Sequence, residues 1–117
     1  MADHGPTTLA VRSEGRGDGV IISPQGDVDM TGSPVLRQEL KRVQGNRPAR
    51  IVVDLGGVPY MDSSGVATLV EALQAAKRSQ TKLLLCGMQD KVRSIFEIAR
   101  LDAVFTIVAT ADAAMKA

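Results

Sequence analysis

Residues 50–73 read RIVVDLGGVPYMDSSGVATLVEAL. The first six, Arg50 to Leu55, are a compact β-branched run and predict a central strand. Beyond the polar centre, Val66, Leu69, Val70 and Leu73 fall at i, i+3, i+4 and i+7, one buried face of a helix. Glu71, Gln74, Lys77 and Arg78 then point outward. A second buried strand, Thr81 to Cys86 (TKLLLC), follows. Strand, helix and strand in this order make a βαβ unit, whose right-handed crossover sets the two strands parallel. The polar segment Met61-Asp62-Ser63-Ser64-Gly65 lies at the first junction.

Upstream, Thr7 to Ser13 (TTLAVRS) and Val20 to Gly26 (VIISPQG) read as a hairpin turning through EGRGDG. Pro24 lacks an amide donor, so it marks an edge, a bulge or the strand's end. Ser33 as N-cap and Pro34 at the first helical position start a helix with the stripe Leu36, Leu40 and Val43, and Gly45-Asn46 ends it. Downstream, Val92, Ile95, Phe96 and Ala99 repeat the helical spacing. Phe105 to Val108 reads as a last strand and Asp112 onward as a terminal helix. The expected class is α/β: a single domain with a mixed four- to five-stranded sheet and flanking helices. Residues 1–6 are expected to be a flexible tail and 7–117 the domain, since 117 residues suffice for one core and not for two.

Composition narrows the function. Apolar residues make up 44% and charged residues 23%, as in a soluble globular protein. A formal charge of +1 supplies no bulk attraction to nucleic acid or an anionic membrane. One Tyr, two Phe and no Trp argue against a base-stacking platform. No apolar run has the length of a signal peptide or a membrane span, which predicts a cytoplasmic protein without membrane insertion. Cys86 is the single cysteine and reads as a small hydrophobe ending a strand. The only histidine, His4, is in the polar tail, so a hydrolase triad has no base, and G-x-S-x-G, phosphate-loop and dinucleotide motifs are missing. Neither catalytic residues nor a cofactor or metal site is expected, and the chain reads as no enzyme.

In a parallel sheet the loops leaving the strands' C-terminal ends emerge at one edge. Two such loops are acidic here: Gly26-Asp27-Val28-Asp29-Met30-Thr31-Gly32 and Tyr60-Met61-Asp62-Ser63-Ser64-Gly65. Asp29 and Asp62-Ser63-Ser64 are therefore expected on one rim. The plain reading of Asp62 and the serines is an N-cap, worth about 1 kcal/mol. Three side chains bring more oxygens than one cap needs, however. Gly65 stands inside the first helical turn, at a cost of about 1 kcal/mol against a good helix former. It is read as leaving the helix end open to another molecule. Met30, an apolar side chain on an acidic rim, is a contact candidate.

Three stretches carry a resemblance: GDVDMTGSPVLRQEL, IVVDLGGVPYMDSSGVATLVEAL and KLLLCGMQDKVRSIFEIARLDAVF. Together they resemble the anti-sigma factor antagonist family, the bacterial STAS domain, from about Val20 to Val108. The most specific parts are D-x-x-x-V-x-Y-M-D-S-S-G and the downstream V-x-x-I-F-E-I-A-x-L-D. Pro24 departs from a regular second strand, and the tail MADHGPTT matches nothing in the family pattern.

The resemblance implies a partner-switching protein that binds an anti-sigma factor serine kinase and so frees a sigma factor. The kinase would phosphorylate Ser63, and a PP2C-type phosphatase would restore the free form. Asp29 maps onto the family's acid after the second strand and is expected to provide a partner contact, while Asp62 and Ser64 shape the acceptor loop and Gly65 gives access. Asp29, Met30, Asp62, Ser63, Ser64 and Gly65 thus form the expected partner-binding set. A monomer or weak homodimer is expected. The alternative is a cytosolic STAS subunit of a lipid-trafficking ABC transporter, a group that tends to carry threonine where this chain has Ser63. A more distant one is a small-molecule or nucleotide sensor using the same rim.

Electrostatics fits the first role. A phosphate on Ser63 adds about −1.5 to −2 charges. The helix N-terminus favours that anion by roughly 0.3–1 kcal/mol, and Asp62 opposes it, so the fold should barely change. Burying the dianion in an interface costs several kcal/mol. The outward face with Glu71, Gln74, Lys77 and Arg78 reads as solvated surface and, beside Ser63, as a candidate flank of that interface.

Overall fold

A computed structural model describes residues 9–117. The tail expected over 1–6, and the start of the strand expected from Thr7, lie outside the described residues. The elements are β1 (Ala10–Arg16), β2 (Gly19–Gln25), α1 (Ser33–Gly45), β3 (Arg50–Asp54), α2 (Ser63–Arg78), β4 (Lys82–Cys86), α3 (Asp90–Ile98), a 3-10 turn (Leu101–Ala103), β5 (Thr106–Val108) and α4 (Ala111–Lys116).

The five strands lie in the order β1-β2-β3-β4-β5. β1 runs antiparallel to β2, and every later neighbour is parallel. Each crossover advances one strand in the same direction, so right-handed connections put α1, α2 and α3 on one face. There Ile22, Ile51, Val53, Leu83 and Leu85 of the sheet meet Leu36, Leu40, Val43, Leu69, Leu73 and Phe96 of the helices. Phe96 meets Phe105 edge to face, with ring centroids 5.5 Å apart. The alternate strand residues, Ile21, Val52, Leu84 and Cys86, face the other way and are covered with Ala114 of α4. Burial on both faces explains why β3 and β4 are unbroken apolar runs rather than alternating ones.

Only six residues long, α4 is held by cations at both ends. Arg50 Nη1 donates to the main-chain oxygens of Ala114 (2.7 Å) and Ala117 (2.6 Å), and Lys82 Nζ donates to Ala117 O (2.8 Å). Positive groups at a helix C-terminus complement its dipole. At the other end Arg16 Nη1 pairs with Asp112 Oδ1 at 3.0 Å.

Several boundaries differ from the sequence expectation. β1 continues through Glu14 and Gly15 to Arg16, which leaves a two-residue turn with Gly17 at φ +58. β1 is an exposed edge strand and carries little apolar signal of its own. The N-cap of α1 is Gly32 rather than Ser33, which is the first helical residue and is buried. β5 begins at Thr106, and α4 begins at Ala111, where Thr110 Oγ1 accepts from the Ala113 amide at 3.1 Å. The flanking is unequal, with three helices on one face and one short helix on the other.

Candidate functional site

The acidic rim is built on an isolated parallel bridge between Val28 and Met61, beyond the ends of β2 and β3. The Val28 amide donates to Tyr60 O (3.0 Å), and the Asp62 amide donates to Val28 O (3.2 Å). Both bridging side chains are fully buried. A further bond, Gly26 N to Gly57 O at 3.0 Å, continues the pairing toward the strands. Two loops more than thirty residues apart in sequence are thereby fixed side by side.

After the bridge, each loop makes the same turn. Asp29-Met30-Thr31-Gly32 and Asp62-Ser63-Ser64-Gly65 are two copies of Asp-x-(Ser/Thr)-Gly. Asp29 Oδ1 accepts from Thr31 N (3.0 Å), Thr31 Oγ1 (2.8 Å) and Gly32 N (2.9 Å). Asp62 Oδ1 accepts from Ser64 N (2.9 Å), Ser64 Oγ (2.6 Å) and Gly65 N (3.3 Å). An aspartate is the right length to fold back over the backbone two residues on. In the second copy the amides it satisfies, those of Ser64 and Gly65, are ones that the start of α2 leaves unpaired. The bonds favour the charged forms. The Thr31 hydroxyl, then the Gly32 amide, holds Asp29 below the ordinary carboxylate range. The Ser64 hydroxyl does the same for Asp62, against burial and repulsion from Asp29.

The second residue of each copy is left over, and both project outward. Met30 is 77% exposed. Ser63 is exposed as the first residue of α2, and its hydroxyl makes no hydrogen bond among the described residues. Ser64, by contrast, gives its hydroxyl to Asp62, and its main-chain oxygen accepts from Thr68 Oγ1 at 2.9 Å. Of the serine and threonine hydroxyls in the two turns, Thr31 and Ser64 are committed to the aspartates, and that of Ser63 is left uncommitted beside Asp62. Tyr60, 48% exposed, adds apolar surface that the sequence reading did not single out. Its signal was the alternation across the bridge, which turns Met61 inward and Tyr60 outward.

Gly65 requires a correction. A Cβ there would stand 2.6 Å from Val28 O, 2.6 Å from Met61 Cγ and 2.9 Å from Val28 Cγ1. The glycine is buried by the neighbouring loop and does not open the helix end to another molecule. It sets the position of the rim rather than offering surface. Gly32 repeats the device, with a Cβ that would stand 2.6 Å from Asp27 O.

Behind the rim, Arg37 of α1 reaches α2 through Glu71 Oε1 (Nε, 2.9 Å) and Thr68 Oγ1 (Nη2, 3.3 Å). Glu71, read as solvated surface, is thus one half of an interhelical ion pair. Cys86 is fully buried, and burial, then Asp54, pushes its thiol up to about 12. It stays protonated and unreactive at neutral pH. No helix among the described residues is long and apolar enough to cross a membrane.

Residues 10–114 match the STAS domain family, from β1 into α4. Over 90 residues the chain is 30% identical to the anti-sigma-B factor antagonist of Listeria monocytogenes, covering 77% of this chain and 79% of that protein. An anti-sigma factor antagonist from Mycobacterium paratuberculosis has the same fold, with TM-score 0.87 at 22% identity over 96% of this chain and 95% of that one. So does the Bacillus cell fate determinant SpoIIAA in its phosphorylated form, with TM-score 0.71 at 19% identity over 92% and 97%. The first two are named as anti-sigma factor antagonists and the third as a cell fate determinant. With the family matched over nearly the whole domain and the D-S-S-G turn at the rim, the chain belongs to the STAS domain family.

Proposed function

We propose that this STAS domain is an anti-sigma factor antagonist that docks on an anti-sigma serine kinase through the rim of Asp29, Met30, Asp62, Ser63 and Ser64, and is released when Ser63 is phosphorylated. The observation that carries the reading is the Ser63 hydroxyl: exposed, at a helix start, and bonded to nothing else among the described residues. The names of the relatives support antagonism of an anti-sigma factor. A phosphorylated form of a protein with this fold has been solved, in keeping with a phosphate cycle.

The step is a phosphoryl transfer. Ser63 Oγ attacks the γ-phosphorus of the kinase-bound ATP, the bond to ADP breaks, and the hydroxyl proton passes to a base of the kinase. This chain contributes acceptor geometry only. Ser63 holds no other group in place, so loading it breaks no bond of the fold. The amides of Ser64 and Gly65, which could have received the phosphate, are already taken by Asp62. The dianion is left with the helix dipole and the amide of Ser63 itself, opposed by the carboxylates of Asp62 and Asp29. Its effect falls on docking, where each 1.4 kcal/mol is about tenfold in affinity. A PP2C-type phosphatase resets the cycle by hydrolysing the ester.

Incubation with the host's anti-sigma kinases and ATP tests this. Wild type should take up one phosphate, on Ser63, and Ser63→Ala none. No uptake from any of them, or uptake at another residue, overturns the proposal.

A further inference from the structure

A groove of about 570 Å³ opens between α1 and α2, behind the rim. Leu40, Ala72 and Ala75 line its apolar floor, the first two buried. Lys41, Arg47 and Arg78 stand around it, all exposed, and make no ion pair or side-chain hydrogen bond among the described residues. The one carboxylate in the lining, Glu71, is already bound to Arg37. In a chain of net charge +1, three unneutralised cations around one apolar cleft are a local excess. Arg47 also keeps its charge at φ +50, a helix-end position where glycine or asparagine is the usual residue.

We infer that this groove is a second docking surface that takes an acidic, aliphatic segment of the anti-sigma factor, and this inference rests on the antagonist reading above. Charge complementarity selects the acidic character, and the floor selects the aliphatic one, with the stems of the basic side chains extending the apolar surface. The lining holds no aromatic side chain, so a nucleobase would find no stacking platform. Continuity selects the same partner. Thr68 Oγ1 accepts from Arg37 in the groove and donates to Ser64 O, so the groove's mouth lies about one helical turn behind Ser63. From that mouth the groove runs to Arg78 at the end of α2, about 22 Å along the helix from Ser63, so an extended segment of about seven residues spans it from a partner seated on the rim.

The test measures association of the full chain with the anti-sigma kinase at about 50 mM and about 500 mM salt, a range that shortens the screening length severalfold. The triple variant Lys41→Gln/Arg47→Gln/Arg78→Gln should associate about tenfold more slowly than wild type at low salt and converge with it at high salt. It should still accept phosphate on Ser63 at saturating kinase. Arg47→Gly removes one cation while relieving the left-handed backbone, so a smaller loss in the same direction, with stability kept, separates charge from unfolding. Equal association of the triple variant and wild type at both salts overturns the groove and leaves the antagonist reading standing. Failure of wild type to bind any anti-sigma kinase overturns that reading, and the groove with it.

Discussion

Met30 and Ser63 occupy the same position in two copies of one turn, each following an aspartate whose Oδ1 ties up the next hydroxyl and the next glycine amide. The turns do the structural work with their first, third and fourth residues, which frees the second for contact. One copy offers a thioether and the other a hydroxyl. Changes at the second position should therefore alter binding with little effect on stability, and changes at the others should do the reverse.

Ser63→Glu should weaken the complex with the anti-sigma kinase by tenfold or more and leave Tm within a few degrees of wild type. Ser63→Ala should bind and fail to take phosphate. Titration calorimetry and thermal unfolding of the same samples check both arms.

Asp62→Ala should cost about 1–2 kcal/mol, the loss of a helix cap, whereas Asp62→Asn keeps an acceptor and should cost less. The sign of the pH effect follows from the lowered carboxyl. Its contribution is fully present above the ordinary value of 3.8 and is lost as pH falls through the still lower folded-state value. Urea unfolding of wild type and Asp62→Asn should show a gap near pH 6 that closes on acidification below that range.

Gly65→Ala separates two physical effects of opposite sign. Helix propensity alone predicts a gain of about 1 kcal/mol. The 2.6 Å approach of the Val28 carbonyl predicts a loss of roughly 1–3 kcal/mol, because a backbone atom must move. Denaturant midpoints should show the loss.

Glu39 links the hairpin to α1. It accepts from Arg42 and from the Ser13 hydroxyl, and those bonds, Arg42's first, bring its carboxyl from the ordinary 4.5 to about 2. This stabilisation is complete above 4.5 and disappears as pH falls toward 2. Glu39→Gln should cost about 1 kcal/mol at neutral pH, discounted for the pair's exposure, and almost nothing near pH 2.

Gln80, at φ +59 after the end of α2, is exposed and holds a left-handed conformation that glycine adopts freely. Gln80→Gly should stabilise the domain by up to about 1 kcal/mol, read as a rise in Tm.

The βαβ centre was legible because β3 is buried on both faces and α2 repeats its apolar residues at helical spacing. β1 was harder to delimit, since an edge strand with Glu14 and Arg16 exposed has no periodic apolar signal. At the site, the expectation that Asp29 would share an edge with Asp62 followed from parallel topology alone, and the Val28–Met61 bridge places them there. Gly65 was misread for a physical reason: the atom that requires a glycine, the Val28 carbonyl, belongs to a distant part of the chain. The repeat of Asp-x-(Ser/Thr)-Gly was present in the letters. Its meaning emerges only when the two loops are seen bonded to each other.

The bridge under the rim has a consequence for any enzyme that modifies it. Ser63 is the opening residue of a sixteen-residue helix, and it cannot be drawn out as an extended strand into a catalytic cleft without unwinding that helix and parting the paired loops. A kinase must accept the serine in the shape in which the folded domain offers it. A short synthetic peptide carrying residues 58–68 should be a poor substitute for the intact protein.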